Sequence, residues 1–394
     1  MAAACLWVQL FLALGWTVYV IFLPALAAQA GLDAKLVPWL LLADQAIFAV
    51  MDWSLGTMAD RMAGTMRRLG NAIALMTLVS CGAFVALPLV APAGSPALLI
   101  AVTVVWSATS SALRAPPWVL IGRHVPGPSQ PWAAGLFLLG LGIAGAVSPY
   151  LAVTLKSLDP RLPFALASVA LAAATLVMTR AIDANPSPAA KAKAAGDRPL
   201  GGGPVAMFLV AVALLGLGFQ VHFAINSAPG YLRFAKPEEL SNLMPVFWIG
   251  FNLLILPASF LAKRLGGLPA MALGAAVGGV AAAAATGAGS LPVLLAAQFA
   301  AGAGWGCVMM SALAAALAMG RTGREGFVTG GLWSLLALAA FARIGAVIGQ
   351  LPKDAAWKPL LAWVPGAMWL TAGLLLAGAA ATVSRRVTRD PVAP

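Results

Sequence analysis

Residues 56–68 read Gly56-Thr57-Met58-Ala59-Asp60-Arg61-Met62-Ala63-Gly64-Thr65-Met66-Arg67-Arg68. Four of these residues are charged, and they stand between two apolar runs, Trp39–Ala59 and Asn71–Ala91. At a rise of about 1.5 Å per residue, either run as a helix crosses a hydrocarbon layer about 30 Å thick. A short basic loop between two such runs reads as a membrane hairpin with its loop in the cytoplasm.

The same pattern fills the chain. Further runs lie at Leu6–Ala28, Ala97–Leu120, Trp132–Leu155, Pro163–Thr179, Val205–Ser227, Leu243–Ala262, Ala270–Gly287, Leu291–Met319, Phe327–Leu351 and Leu360–Ser384, giving twelve spans. Turn chemistry separates them, as in Pro-Ala-Gly-Ser-Pro at 92–96 and Pro-Gly-Pro-Ser-Gln-Pro at 126–131. The first run lacks the basic flank of a signal peptide, since no Lys or Arg precedes Lys35, and it reads as an uncleaved helix.

Composition agrees. The 394 residues are 61% hydrophobic and 9% charged, where soluble domains run near 45–50% and about 25%. Such hydrophobicity also excludes a disordered chain. Three cysteines exclude a disulfide scaffold or a four-cysteine zinc site, and two histidines exclude a His-rich metal cluster. With both termini inside, sixteen of the 24 Lys and Arg fall in cytoplasmic loops and seven in outer loops, with Arg343 inside a span. This bias accounts for the net charge of +12 without a nucleic-acid partner.

The longest polar segment, 181–204, includes Asn-Pro-Ser-Pro and Gly-Gly-Gly-Pro and reads as a cytoplasmic linker. It separates a six-span bundle at 1–180 from another at 205–394. A weak internal repeat supports the division. Gly56-x-x-x-Asp60-Arg61 is echoed by Ser259-x-x-x-Lys263-Arg264, at an offset of 203 residues.

At Gly56, Asp60, Arg61, Arg67 and Arg68 the chain resembles the major facilitator superfamily, whose signature between spans two and three is Gly-x-x-x-Asp-Arg/Lys-x-Gly-Arg/Lys-Arg/Lys. It departs at Ala63, with glycine arriving one residue late at Gly64. The family's Gly-rich fifth span is partly met by Gly140, Gly142, Gly145 and Ser148-Pro149. The resemblance implies an all-α membrane fold: twelve transmembrane helices in two six-helix bundles related by a pseudo-twofold axis. It implies a secondary active transporter working by alternating access, expected as a monomer in the cytoplasmic (inner) membrane; the high Ala and Gly content points to a bacterium. It also places Asp60 beside the N-terminus of span eleven, where an anion is favoured. Arg61 and Arg114 are expected to complete a charge cluster there, with Gly56 allowing close helix approach.

Charged residues deep in a span need a partner or a task. Asp44 and Arg343 lie at similar depths, about five and eight residues from the outer ends of spans two and eleven. The resemblance packs those spans together, so an Asp44–Arg343 ion pair is expected as an outer gate. Asp52, near mid-membrane, and His222 are the candidate proton carriers. Superfamily cavities are lined by spans one, four, seven and ten. Trp16, Tyr19, Trp106, His222, Asn226, Trp305 and Arg343 are therefore the candidate substrate-binding residues. Aromatic walls and few charges suit a small organic solute, neutral or anionic. Pro229-Gly230 would let span seven bend as an outer gate.

Two rival readings stand beside this one. Cys307, Met309 and Met310, with Met58, Met62 and Met66, are soft ligands and allow a copper or other metal ion transporter of the same fold. A non-transporting membrane assembly factor is the other. No resident metal or cofactor is expected. An enzyme is not expected either, because neither His-Glu-x-x-His nor Gly-x-Ser-x-Gly occurs, and no phosphate loop points to ATP.

Overall fold

The computed structural model of the chain describes residues 2–62, 66–183, 202–321 and 323–389. These contain twelve helices long and apolar enough to cross a membrane. Spans one to six are Ala3–Gln29, Ala34–Met62, Arg67–Ala93, Pro96–His124, Gly127–Ser157 and Arg161–Ala181. Spans seven to twelve are Gly202–Tyr231, Pro237–Leu265, Gly267–Thr286, Leu291–Gly320, Glu325–Ile348 and Lys358–Ser384. No strand occurs among the described residues. The linker expected at 181–204 lies largely outside them: span six's helix continues to Asp183, and span seven's begins at Gly202. Ala63 and Gly64, where the sequence departs from the family signature, also lie outside.

The packing has two-fold logic. In the first bundle, span one packs on five and six, span three on four and six, and span two on four. In the second, span seven packs on eleven and twelve, span nine on ten and twelve, and span eight on ten. Between bundles, span two meets eleven and span five meets eight. Each contact has its counterpart six spans later, as pseudo-twofold symmetry requires.

Small residues set the closest approaches. A Cβ on Gly56 would overlap the Gly326 carbonyl, and one on Gly326 would overlap the Gly56 carbonyl. Spans two and eleven therefore touch backbone to backbone. The glycines of span five do similar work: Gly142 makes room for Phe251 and Asn252 of span eight, and Gly145 for the Trp248 indole.

Two spans depart from simple helices. Span four is α-helical over Pro96–Ser110, tightens to a 3-10 turn at Ser111–Leu113, and resumes at Pro116–His124. The cause is Pro116-Pro117, which removes two backbone donors and crowds the preceding turn. Span seven carries a π-helical stretch at Gln220–Asn226. Pro229 lies just beyond it and cannot donate to the Ile225 carbonyl. The distortion thus falls one to two turns before Pro229-Gly230, the expected bending point. Extra-residue helical turns of this kind are frequent where a helix carries function.

Candidate functional site

In the first bundle, span one brings Trp16 and Tyr19 against Trp106 of span four. Trp16 stacks on Trp106 at 5.9 Å between ring centroids, Tyr19 lies 4.4 Å from Trp106, and Phe48 of span two caps Trp16 at 5.5 Å. Asp44 is buried in this box. Its oxygens accept from Tyr19 Oη at 2.8 Å and from Ser107 Oγ at 2.6 Å. The carboxylate thus has two neutral hydroxyl donors on its own bundle.

Two turns further along span two, Asp52 is fully buried. Arg114 reaches it from the break in span four, with Nε 3.2 Å from Oδ2. A regular helix through Pro116 would present residue 114 differently, so the proline pair helps to build this contact. The guanidinium also lies over Phe48 at 4.7 Å and over Trp333 of span eleven at 5.3 Å. A cation against ring faces gains further electrostatic attraction where water is scarce. Arg114 was expected in a cluster with Asp60 and Arg61. It is instead Asp52's partner, because the span-four break holds it about two turns away from Asp60 along span two.

The second bundle is built from rings. Phe219 of span seven stacks on Trp305 of span ten at 4.5 Å, and Trp305 stacks on Trp369 of span twelve at 5.6 Å. Trp369 Nε1 donates to the Leu215 carbonyl at 2.9 Å. His222 is buried beside them, and its Nε2 donates to Gln298 Oε1 at 3.0 Å. Gln298 Nε2 in turn donates to Ser227 Oγ at 3.2 Å, and that hydroxyl donates to the His222 carbonyl at 2.9 Å. This closed relay is neutral and leaves no carboxylate beside the imidazole. Asn226 points away from it: its Nδ2 donates to the Leu361 carbonyl at 2.8 Å, fastening span seven to span twelve.

The expected Asp44–Arg343 pair does not form. Asp44 is satisfied by Tyr19 and Ser107, and Arg343 Nε donates to Gln220 Oε1 at 3.2 Å within the second bundle. The depth argument was sound, since spans two and eleven run antiparallel with Gly56 opposite Gly326 and Gly330. Helix rotation decides the matter, because each side chain turns toward its own bundle.

At the other end of the same contact, Asp60 accepts from the Gly326 and Phe327 amides at 2.7 and 2.8 Å. A carboxylate at a helix N-terminus satisfies otherwise unpaired amides and meets the positive end of the helix dipole. Beside it, Arg123 of span four pairs with Glu325 of span eleven at 3.2 Å. Arg61 is exposed and does not join this cluster. Sequence reasoning missed Arg123 and Glu325; the available signal was an acidic residue in the first turn of span eleven. The two bundles are thus joined at the Asp60 end by charge. Toward the middle, the Ser334 hydroxyl donates to the Ala49 carbonyl across the bundle interface.

The soft ligands weighed above stay apart from any cluster. Cys307 Sγ donates to the Ala270 carbonyl at 3.3 Å, and Met309 and Met310 are buried in the apolar core. Among the described residues, no three His, Cys, Asp or Glu side chains converge as a metal site requires.

No protein-family model and no curated protein matches the sequence. Solved structures do match in fold. A bacterial homologue of the iron transporter ferroportin, in an outward-facing state, superposes with a TM-score of 0.71 at 16% identity, covering 96% of this chain and 99% of that one. FucP, a major facilitator superfamily transporter in the outward conformation, gives 0.70 at 12% identity over 96% and 98%. The human organic anion transporter MFSD10 gives 0.67 at 14% over 95% and 98%. These likenesses span nearly the whole of each chain and give this one the same fold.

Proposed function

We propose that this chain, which has the fold of the major facilitator superfamily, is a secondary active transporter that moves a small organic solute by alternating access. The observation that carries the reading is the lopsided junction between bundles. Asp60 is bound to the tip of span eleven, and Arg123 is bound to Glu325. At the opposite end, Asp44 and Arg343 each turn back into their own bundle. A junction closed by charge at one end and uncommitted at the other is what an outward-facing resting state needs. The outward-facing states of two structural relatives support that assignment.

In this reading the chain lies in the cytoplasmic membrane of a bacterium, with both termini and the Asp60 junction inside. Substrate enters from the outer side toward the face where Trp16, Trp106 and Phe48 meet Arg114 and Trp333. The second bundle's aromatic stack provides the opposing wall. Proton coupling falls to Asp52, which is fully buried beside one cation and lies midway through its span. His222 is the second candidate, through its relay to Gln298.

The test is counterflow in proteoliposomes. Protein reconstituted with a trapped solute should accumulate the labelled form of that solute without an ion gradient. Failure with a broad panel of organic solutes overturns the reading. For coupling, Asp52→Asn should keep counterflow and lose uptake driven by a pH gradient; equal loss or equal retention of both activities overturns the assignment of Asp52.

A further inference from the structure

Arg114 combines three properties rarely found together inside a membrane. It sits where span four breaks, it is held by a buried acid, and it is clamped by rings from both bundles: Phe48 at 4.7 Å and Trp333 at 5.3 Å. Its side chain remains 19% exposed while Asp52 is 0% exposed, so the guanidinium is the reachable member of the pair. No hydrogen bond among the described residues uses its amines.

One further donor close by has no acceptor. Trp333 Nε1, on the indole that Arg114 overlies, is buried and unpaired. Beyond the Nε that Asp52 holds, the guanidinium amines and this indole N–H are donors to spare at one locus. Unpaired buried donors are costly, and an oxygen pair from a ligand is the natural remedy.

We propose that Arg114 is the anchor for the carboxylate of an organic monocarboxylate substrate, with the Trp333 indole as the second donor. This deepens the transporter reading above and rests on it. Guanidinium amines present paired N–H groups matched to the two oxygens of a carboxylate. Phe48, Trp333 and the half-buried Trp16 supply apolar walls for the organic body. The charge balance selects a monoanion. Asp52 and Arg114 together are neutral, so a bound monocarboxylate leaves one negative charge, and one proton on the Asp52 carboxylate restores neutrality. A phosphate monoester, carrying about −1.5 to −2, would leave charge uncompensated beside Asp52. The proton comes from outer water with the substrate and leaves with it inside, giving one-for-one symport. Because Arg114 belongs to the first bundle and Trp333 to the second, a carboxylate between them ties binding to the relative position of the bundles.

The test is a thermal-shift titration of the full-length detergent-purified protein with a panel of monocarboxylates, benzoate and phenylacetate included, each beside its neutral amide. At least one carboxylate should raise the melting temperature where its amide does not. Arg114→Lys keeps the charge beside Asp52 but loses the paired geometry, and should weaken that response about tenfold. Trp333→Phe keeps the ring and loses the N–H, and should weaken it several-fold. The charge-neutral double variant Asp52→Asn/Arg114→Gln should abolish it. Equal response to amide and carboxylate, a full response in Arg114→Lys, or no response to any carboxylate overturns the proposal. Counterflow separates the two readings. Flux of neutral solutes without any for carboxylates overturns the anchor and leaves the transporter. Carboxylate binding at Arg114 without flux of any solute overturns the transporter and leaves the anchor.

Discussion

The two bundles share one scaffold and fill its centre with different chemistry. At the repeat offset of 203 residues, Trp16 corresponds to Phe219, Tyr19 to His222 and Phe48 to Phe251. The stacked ring pair recurs as well, Trp16 on Trp106 in the first bundle and Phe219 on Trp305 in the second. The acids do not recur: Phe247 stands opposite Asp44, and Ile255 opposite Asp52. The mid-span carboxylates thus lie in the first bundle, one held by Tyr19 and Ser107 and the other by Arg114, while the mid-span charge of the second is Arg343 on Gln220. The second bundle holds a neutral imidazole–amide–hydroxyl relay and a three-ring stack. The contrast suggests a division of labour, with ion and substrate chemistry in one half and a stiff aromatic wall in the other.

Substitutions that unbalance charge should therefore cost most in the first bundle. The largest effect is expected for Arg114→Gln, which strands the buried Asp52. Breaking a buried pair from one side costs about 3–5 kcal/mol, while removing both partners costs much less. Thermal unfolding in detergent should show a deep loss for the single variant and recovery in Asp52→Asn/Arg114→Gln. A double variant no more stable than the single one would mean that the pair is not the unit described here.

Next comes Gly56→Ala. The added methyl group meets the Gly326 carbonyl at a backbone-to-backbone crossing, where nothing flexible can yield. Overpacking of this kind costs about 1–3 kcal/mol, and here it should also loosen the junction between bundles. Inner-side labelling of a cysteine placed in span eleven's first turn would report that loosening. Unchanged labelling and stability would show that the crossing is less tight than its geometry demands.

Asp44→Asn sharpens the comparison directly. Both Asp44 oxygens accept from hydroxyls, and an amide nitrogen there faces a donor with another donor. A cost of about 1–3 kcal/mol is expected for the group left unsatisfied. His222→Asn in the second bundle, at the equivalent of Tyr19, breaks one neutral hydrogen bond and should cost about 1 kcal/mol. Equal losses on unfolding would argue against a charged first bundle and a neutral second one.

A stability effect of the same order as that of His222→Asn is expected for Asp60→Asn. A carboxylate at a helix N-terminus contributes about 0.3–1 kcal/mol at exposed sites and about 2 in partly buried ones. Its functional effect should be larger than that figure suggests. It should shift the population toward the inward-open form, read as increased inner and decreased outer cysteine accessibility. An unchanged ratio would remove the locking role from Asp60.

Much of this was legible in the chain. Span number follows from the lengths of apolar runs, and all twelve expected runs coincide with observed spans. Asp60 at the tip of span eleven was expected from the motif's resemblance, and the structure places it on the Gly326 and Phe327 amides. Trp16, Tyr19 and Trp106 were expected only as cavity-lining residues; that they pack on one another is a finding of the structure. The pairing of charges was not legible. Arg114 was assigned to the wrong acid, since nothing local states that Pro116-Pro117 interrupts span four and redirects it. Asp44 and Arg343 were paired by depth and by the packing of spans two and eleven that the resemblance implied, and neither fixes rotation about the helix axis. The π-helical turn of span seven lies beyond simple counting as well, since it shifts His222 and Gln220 relative to a 3.6-residue period.

The chain by itself determined twelve apolar runs long enough to cross a bilayer, with only a weak echo between its halves. Burial of apolar runs in lipid is a one-dimensional property of composition and length, readable residue by residue. Only the tertiary structure decided which buried charge neutralises which. That choice turns on helix breaks and rotations of a fraction of a turn, and in a medium without water each ionised group takes the partner those small displacements bring within reach.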